Sequence, residues 1–514
     1  MRRIVQHQRV HRVPHPVGGE ISLHIRTRGI ARLLAIGLLA HTLVCARAES
    51  LGRIADSDPR AILQRCDAAL RKVERIDYLA RCYFGDPDRG APAAAEVKVC
   101  QWRRPGRTPG FLAEQTNFPT DLVPETKKTL SYNGRTLEVV DHHRHTVHEG
   151  RLTDVAASAT SFLSVLMIRD LTSGAPMAEA LRSPRVTYAG RAKLGADECD
   201  IVDVVTRDGQ QLRWWIRVSD SMPRRRYDQN NNITHDILSL EAAEKCDTNI
   251  PTPDGYTRIR DRGLPEIAYA DEGDPLPPFI CGVEDRAFAR KLRDSYKLDD
   301  LTAEATTDLE RVRLICDWVH AQWQHSNTPT KSLTNVIDII EAGRKGEQFS
   351  CSEFAGVVTA CLNAVGISAR EVIMMHPEVD TMLLGSSHVV AEAYLRDLGQ
   401  WVFVDAQKNV VPTLDDKPLN TVEFQRALQK RDPALDFSID GEINSYPLEL
   451  SESMYFLRAR LEAVVLATPR FTGAAMLIPK DSDPPKAFQR MSPIHGDAIT
   501  TSLKAFYAAP EVRR

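Results

Sequence analysis

The sequence predicts an α+β protein made of two unlike parts joined by a linker. Residues 51–250 contain short runs of alternating apolar and polar residues between turn signals, a pattern typical of antiparallel hairpins. Six prolines lie between Pro251 and Pro278, which is the composition of a linker. Beyond them a strongly apolar helix and two strands follow one another, which indicates a second α+β domain.

These boundaries divide the 514 residues into five segments. At about 150 residues per domain, the length excludes a single small domain. We assign residues 1–48 to a signal peptide, 49–250 to an N-terminal domain, 251–278 to the linker, 279–430 to a second domain and 431–514 to a C-terminal extension. In this extension, apolar residues at helical spacing from Leu448 to Leu466 predict a helix.

The first 48 residues have the pattern of an export signal. They carry eight arginines and one acidic residue, and the apolar run 33–44 precedes Ala46-Arg47-Ala48, after which we expect cleavage. This run of twelve residues is too short for the hydrocarbon core of a membrane, which needs about 20. The sequence therefore predicts a periplasmic or secreted protein with no stable membrane span.

Charge and histidine spacing exclude or disfavour two kinds of ligand. After Ala48, 58 basic residues face 68 acidic residues, and a net charge of −10 argues against a nucleic-acid partner. Histidines 142, 143, 145 and 148 follow the predicted strand 137–140. At most two of them share a strand face, so we interpret them as a solvated strand end, with a surface metal site as the alternative. We expect neither a metal nor a cofactor.

Export would place the nine cysteines after Ala48 in an oxidising compartment, where disulfides form. No two of them form a Cys-x-x-Cys pair, so the spacing typical of structural zinc sites and of thioredoxin-like redox sites is missing. Their odd number leaves at least one thiol free or paired outside the chain. If Cys351 is the free thiol, the other eight cysteines allow 105 full pairings.

The N-terminal domain opens with a predicted helix. Asp58 is a good N-cap and Pro59 suits the first helical position, and apolar residues continue at helical spacing to Ile76. Strands follow, including a hairpin around Asp208-Gly209. In its second strand Leu212, Trp214, Ile216 and Val218 share one face, which predicts a sheet covered on one side.

The second domain contains a helix that begins almost at Cys351. Phe354, Val358, Cys361 and Leu362 recur at helical spacing, and Gly366 is a good C-terminal cap. A thiol at a helix N-terminus lies at the positive end of the helix dipole, which favours the thiolate. Cys351 is therefore a candidate nucleophile.

A cysteine nucleophile needs a base and a group that orients the base. The predicted strand Ser387–Leu395 supplies His388, and the next strand ends at Asp405. A connecting loop of two residues would place His388 opposite Asp405, and a loop of four would make them diagonal neighbours on one face. A five-residue loop without a bulge would place the two side chains on opposite faces of the sheet.

The order of these motifs resembles that of the transglutaminase-like superfamily of papain-type folds over about residues 280–430. The motifs are a helix-initiating Cys351 followed by Phe354-Ala355, the turn 366–370, the strand residue His388, and Trp401-x-x-x-Asp405. The resemblance implies that Cys351 is the nucleophile, His388 the general base and acid, and Asp405 the orienting carboxylate. Gln348 and Gln324 are candidates for the oxyanion hole. Many members carry an aromatic residue where this chain has Val390, which affects the expected shape of the substrate site.

The N-terminal domain weakly resembles the half-barrel domains of periplasmic lipoprotein carriers. The resemblance rests on one helix, a meander of strands and the turn 220–225. It implies an apolar groove between sheet and helix that would hold acyl chains. The alternative is a spacer or a domain that docks a partner.

The resemblances together predict an exported thiol enzyme. It would hydrolyse or transfer acyl groups at amide or peptide bonds of a protein or peptide substrate, through a thioester on Cys351. The alternative is a non-catalytic binding or carrier protein, in which the half-barrel holds an apolar ligand and the thiol domain is a scaffold.

Overall fold

The structure is a computed structural model that describes residues 58–102, 110–151, 168–173, 175–207, 209–248, 250, 252–260, 264–273, 275–327, 332–438 and 446–513. Residues Pro59–Arg514 form one compact unit. The predicted signal peptide lies outside the described residues. Within the described ranges, no helix is long and apolar enough to cross a membrane.

The N-terminal part is a large, mostly antiparallel sheet, as the hairpin pattern predicts. Twelve strands pair in the order β12-β6-β5-β4-β3-β2-β1-β11-β10-β9-β8-β7, and the edge strand β12 runs parallel to β6. Their bounds are β1 Arg75–Phe84, β2 Ala93–Trp102, β3 Phe111–Asn117, β4 Thr126–Tyr132, β5 Leu137–Asp141, β6 Thr146–Gly150, β7 Arg185–Leu194, β8 Asp197–Val205, β9 Gln211–Arg217, β10 Pro223–Asp228, β11 Ile233–Ala242 and β12 Thr257–Arg260.

A helix at Pro59–Arg71 covers the inner face of this sheet. It is shorter than the sequence pattern suggests, because Ile76 belongs to β1 and pairs with Ala242. Short helices lie at Pro87–Arg89, Arg169–Thr172 and Ala178–Arg182. The one-sided pattern of β9 is confirmed at Leu212, Trp214 and Ile216, which are at most 5% exposed. It is wrong at Val218, which lies one residue beyond the strand and is 38% exposed.

The predicted linker contributes a strand to this sheet. Thr257–Arg260 pairs with Thr146–Glu149, and Tyr256 contacts the rings of His142 and His145 edge-on. These two histidines lie in the turn between β5 and β6. The Pro-rich composition therefore contains a short hydrogen-bonded strand, because an edge strand needs partners on only one side. Further along the predicted linker, Ala270 pairs with Ser502.

The second part is an α+β assembly around a mixed sheet. The sheet has the order β16-β15-β14-β20-β22-β25. The helices are Arg286–Tyr296, Leu298–Leu301, Asp308–His320, Val336–Gly343, Cys351–Ala364, Thr421–Lys430, Leu448–Glu452 and Leu503–Phe506. The strands are β13 Ile280–Val283, β14 Ala369–Met375, β15 Ser387–Leu395, β16 Gln400–Val404, β17 Val410–Leu414, β18 Lys417–Pro418, β19 Leu435–Ser438, β20 Phe456–Arg460, β21 Glu462–Val465, β22 Ala474–Leu477, β23 Ala487–Phe488, β24 Ser492–Pro493, β25 Ala498–Thr500 and β26 Glu511–Arg513.

Two apolar cores flank this sheet. One packs the sheet against the helices that include Cys351–Ala364, and the other packs its opposite face against the helix Thr421–Lys430 and the C-terminal segment. The predicted helix from Leu448 to Leu466 is wrong beyond Glu452, since β20 and β21 occupy most of that stretch. Pairing of β20 with β14 and β22 overrides the local helical spacing.

The two parts interlock through the segment between β14 and β15. Met382 and Leu383 from this segment lie in the apolar core of the N-terminal sheet and are 0% and 4% exposed. Nearby, Lys128 Nζ donates to Glu378 Oε2 at 2.6 Å, and both residues are buried. Burial alone would raise the pKa of Glu378, but the charges of Lys128 and Arg144 and the hydrogen bond from Lys128 together outweigh burial and lower this pKa to about 2.

All nine cysteines of the described chain are free thiols. Two of them nevertheless lie together, because the Cys100 and Cys246 side chains are hydrogen-bonded to each other. The Cys100 thiol also donates to the Lys245 carbonyl at 3.5 Å.

We expect glutathione disulfide to oxidise this pair to a Cys100–Cys246 disulfide. The two thiols would release two protons and two electrons, and the oxidant would be reduced to two glutathione molecules. Peptide mapping after alkylation should find this cross-link in the wild type and not in Cys100→Ser. Alkylation of both cysteines after oxidation of the folded wild type would contradict the prediction.

Candidate functional site

The helix Cys351–Ala364 carries the candidate nucleophile on its first residue. Ser350 is its N-cap, and the Ser350 and Glu353 side chains form a capping box with each other's backbone amides. This Ser-x-x-Glu spacing is a helix-start signal that the sequence already contains. The caps fix where the helix begins, so Cys351 lies at the positive end of a 14-residue helix.

Two neighbouring strands bring His388 and Asp405 together. Four residues connect β15 to β16, so His388 and Asp405 are diagonal neighbours, the second of the favourable registers. His388 Nε2 and Asp405 Oδ2 are 2.8 Å apart. The two residues are only 2% and 1% exposed, so water does not weaken the interaction.

Asp405 is held by more groups than the sequence indicates. Its Oδ2 also accepts a hydrogen bond from the Tyr446 hydroxyl at 2.5 Å, and its Oδ1 accepts one from the Lys408 amide at 3.1 Å. Tyr446 is buried and lies 41 residues along the chain from Asp405. No local motif marks Tyr446, which explains why sequence reasoning missed it.

The half-buried Cys351 thiol is hydrogen-bonded to His388. Because Nε2 of His388 is used by Asp405, Nδ1 is the nitrogen left for the sulfur. Burial by itself raises the pKa of the Cys351 thiol. The hydrogen bond and charge of His388, together with the Val389 amide, outweigh burial and hold this pKa below its usual value.

The pKa values of His388 and Asp405 favour the charged form of each side chain. Burial lowers the pKa of His388, but the charge and hydrogen bond of Asp405, together with those of Cys351, outweigh burial and raise it to about 10. For Asp405, burial raises the pKa, and the charge of His388 and the Tyr446 hydroxyl bring it below its usual value. The geometry therefore favours a thiolate beside an imidazolium, which a buried carboxylate stabilises.

Gln324 and Gln348 lie on adjacent segments, and the segment of Gln348 leads directly into the nucleophile helix. A bridge pairs His325 with Phe349, and the Phe349 amide donates to the Gln324 carbonyl at 3.4 Å. The Gln348 side chain reaches towards Gly209, on the turn between β8 and β9, where a Cβ atom would lie 3.9 Å from its amide nitrogen. The structure thus pairs the segment of Gln324 with the segment that leads from Gln348 to Cys351.

His325 is a further titratable residue of this region. Partial burial lowers its pKa to about 4, and the charges of Lys408 and His388 act in the same direction. A neutral imidazole therefore lies within electrostatic reach of the charged His388.

The comparisons with known proteins assign the domain that contains these residues. Residues 296–406 match the family model of the transglutaminase-like superfamily, which confirms the resemblance in the C-terminal half. This segment contains Cys351, His388 and Asp405 and omits Tyr446. No curated protein matches the sequence.

Solved structures similar to the chain are distant in sequence. LprF from Mycobacterium bovis is 11% identical, with 39% of this chain and 97% of that chain covered and a TM-score of 0.23. The lipoprotein LppX from Mycobacterium tuberculosis is 11% identical, with 37% and 100% covered and a TM-score of 0.24. A protein from Cytophaga hutchinsonii, proposed to be a cysteine protease, is 16% identical, with 45% and 68% covered and a TM-score of 0.19.

The lowered pKa of Cys351 predicts selective alkylation in the reduced protein. At pH 6, iodoacetamide should modify Cys351 before Cys246, whose pKa is raised to about 12 mainly by burial. In His388→Ala, loss of the imidazolium should move the inflection of the Cys351 rate to higher pH, because burial then dominates. Mass spectrometry follows the modification of each cysteine. Equal rates at Cys351 and Cys246 would contradict the prediction.

The Tyr446 hydroxyl predicts a pH effect on the triad. Removing it in Tyr446→Phe should raise the pKa of Asp405, since the hydroxyl stabilises the charged carboxylate. We expect acylation of Cys351 by 4-nitrophenyl acetate to slow about tenfold, and its acid limb to move to higher pH. Tyr394→Phe is the matched control, because Tyr394 packs on Trp401 rather than on Asp405. A Tyr446→Phe profile that superimposes on that of the wild type would exclude the positioning role.

Proposed function

We propose that this protein is a thiol enzyme that cleaves or transfers acyl groups at amide bonds of a protein or peptide substrate. The observation that carries the proposal is the continuous set of hydrogen bonds from Cys351 through His388 to Asp405. Cys351 is also the first residue of a capped helix, so the helix dipole stabilises the thiolate in addition to the charge of His388. Structural cysteines and strand histidines need none of these arrangements.

The reaction would follow the order that the geometry supports. The Cys351 thiolate attacks the amide carbonyl, and the His388 imidazolium gives its Nδ1 proton to the departing amine, leaving a thioester on Cys351. His388 then takes a proton from water, the hydroxide attacks the thioester, and the acid leaves as the thiolate is restored. Asp405 orients the imidazole and stabilises its positive charge in both steps.

Hydrolysis is the favoured outcome over transfer to an amine. Water at about 55 M competes with any amine unless the site excludes it. Cross-linking of an amine to the thioester is the alternative within the same chemistry. Gln348 and Gln324 are proposed as side-chain donors to the oxyanion, because the segment of Gln348 leads directly to Cys351 and the segment of Gln324 pairs with it.

The N-terminal sheet is proposed to border and present the substrate. Two of its turns approach the segments that precede Cys351. Gly209 lies by the Gln348 side chain, and Asn327 Nδ2 donates to Asn231 Oδ1 at 3.4 Å. A substrate bound at Cys351 would therefore pass close to these turns.

The carrier alternative places an apolar ligand in the N-terminal sheet instead. In the described residues, the helix Pro59–Arg71 and the buried Met382 and Leu383 pack on the inner face. An acyl chain would have to displace these side chains, at a cost of lost apolar burial. This packing supports the enzyme over the carrier. We further propose that the chain is exported, with cleavage after Ala48, on the sequence pattern alone.

Turnover of an activated ester and of peptide amides tests the proposal. The wild type should give a burst from 4-nitrophenyl acetate and then steady release, with an acetyl group on Cys351 detected by mass spectrometry. Cys351→Ser should abolish the burst, Asp405→Asn should slow it by orders of magnitude, and Cys246→Ser should retain it. Glutamine-containing peptides with added putrescine would then distinguish hydrolysis from transfer by product mass. A burst that survives in Cys351→Ser, or acetylation of Cys246 in preference to Cys351, would overturn the proposal.

A further inference from the structure

A cavity lined by arginines lies at the opposite end of the nucleophile helix. It has a volume of about 460 Å³ and opens to solvent beside Ala364 and Gly366. At about 1.5 Å per residue, the 14-residue helix separates it from Cys351 by roughly 20 Å. The cavity is therefore distinct from the thiol site. Its volume lies within the range of about 300 to 1,000 Å³ that small-molecule sites occupy.

Five arginines from three segments line this cavity, and no acidic residue lines it. The helix Arg286–Tyr296 provides three of them, spaced four and three residues apart on one face; the full set is Arg286, Arg290, Arg293, Arg396 and Arg513. Like charges at this spacing repel one another and destabilise a helix. An anionic ligand would remove that repulsion.

The C-terminal strand reaches the cavity because of one glycine. Gly282 on β13 has a φ of +119°, and a Cβ there would lie 2.2 Å from the Arg513 carbonyl oxygen. A side chain at this position would push β26 away from β13. The absence of a side chain at Gly282 thus places Arg513 at the cavity wall.

The acidic residues that form ion pairs with these arginines do not line the cavity. Asp299 binds Arg293, Asp308 binds Arg396, and Glu284 and Glu462 bind Arg513. Arg311 and Arg470 share three of these four acids, so five guanidinium groups share four carboxylates, with Arg286 and Arg290 not counted. Arg290 has no ion pair with any residue in the described ranges.

Compensation of the helix dipole does not account for this charge. The C-terminal end of a helix is equivalent to about half a negative charge, which one arginine would balance. A planar carboxylate ligand is bound by one or two guanidinium groups, whereas a tetrahedral phosphate has oxygens in several directions and can accept hydrogen bonds from more of them. Val283, Ile367 and Val512 add apolar wall for an organic group.

We infer that this cavity is a binding site for a phosphate ester or diphosphate that carries at least two negative charges. The organic part would lie on the apolar wall and the phosphate among the arginines. A soluble metabolite and an anionic lipid headgroup share this chemistry, and binding experiments distinguish the two sources. The inference does not depend on the reaction at Cys351.

Calorimetric titration of the full chain with inorganic pyrophosphate and with ribose 5-phosphate tests the site. We expect saturable binding of one ligand per chain, weakened about tenfold in Arg290→Gln and in Arg396→Gln, each of which removes a charged hydrogen-bond donor. Lys291→Gln is the matched control, because it removes one positive charge from the same helix outside the lining. It should change the affinity less than twofold.

Flotation with phosphatidic acid vesicles, against phosphatidylcholine vesicles, identifies the source. If the protein binds only the soluble probes, the ligand is a free phosphate ester. If it binds only phosphatidic acid vesicles, the ligand is a lipid headgroup. In either case, we expect the binding to depend on Arg290. The inference is overturned if none of the three anionic probes binds saturably, or if Lys291→Gln weakens binding as much as Arg290→Gln. Thermal unfolding of each variant shows whether it is folded. Thiol reactivity is not measured, so failure here leaves the proposed function intact.

Discussion

Asp405 and His388 form an ion pair that is almost completely removed from water, with 2.8 Å between the two side chains. Neither charge could persist there alone, because desolvating one unpaired ion costs several kcal/mol. The pair therefore requires further donors around the carboxylate, which the Tyr446 hydroxyl and the Lys408 amide provide. It also requires that β15 and β16 keep one register, since a slip of one residue would place the two side chains on opposite faces.

The same strand carries a second buried pair that helps to hold this register. Arg370 on β14 and Glu392 on β15 are both fully buried and 2.8 Å apart. The Arg370 guanidinium lies within 4.5 Å of the ring centres of Phe279, Trp401 and Phe506. Arg370 Nη1 also donates to the Phe506 carbonyl, so the C-terminal segment packs against the strand that carries His388. The extension after residue 430 is in this way part of the domain core.

The segment from His376 to Ser386 connects the two parts of the molecule. It enters the apolar core of the N-terminal sheet with Met382 and Leu383, and it returns directly to the strand that begins one residue before His388. Glu378 on this segment is bound to Lys128, which lies 250 residues away in the chain. A rearrangement of the N-terminal sheet would therefore act on the position of His388 through a short covalent path.

Local patterns in the sequence were sufficient for the nucleophile helix, for the hairpin of β8 and β9 and for the two strands that bring His388 and Asp405, whereas the loop length that sets the register of these two strands came only from the structure. Each of these elements depends on residues within about twenty positions, so periodicity, capping and turn residues determine it. The residues from Leu448 to Leu466 show the limit, because pairing of β20 with β14 prevailed over helical spacing. Tyr446 beside Asp405, Met382 in the N-terminal core and the five arginines around one cavity were decided only by tertiary packing. These contacts join segments far apart in the chain, and no local spacing records which distant surfaces bury each other when the chain folds.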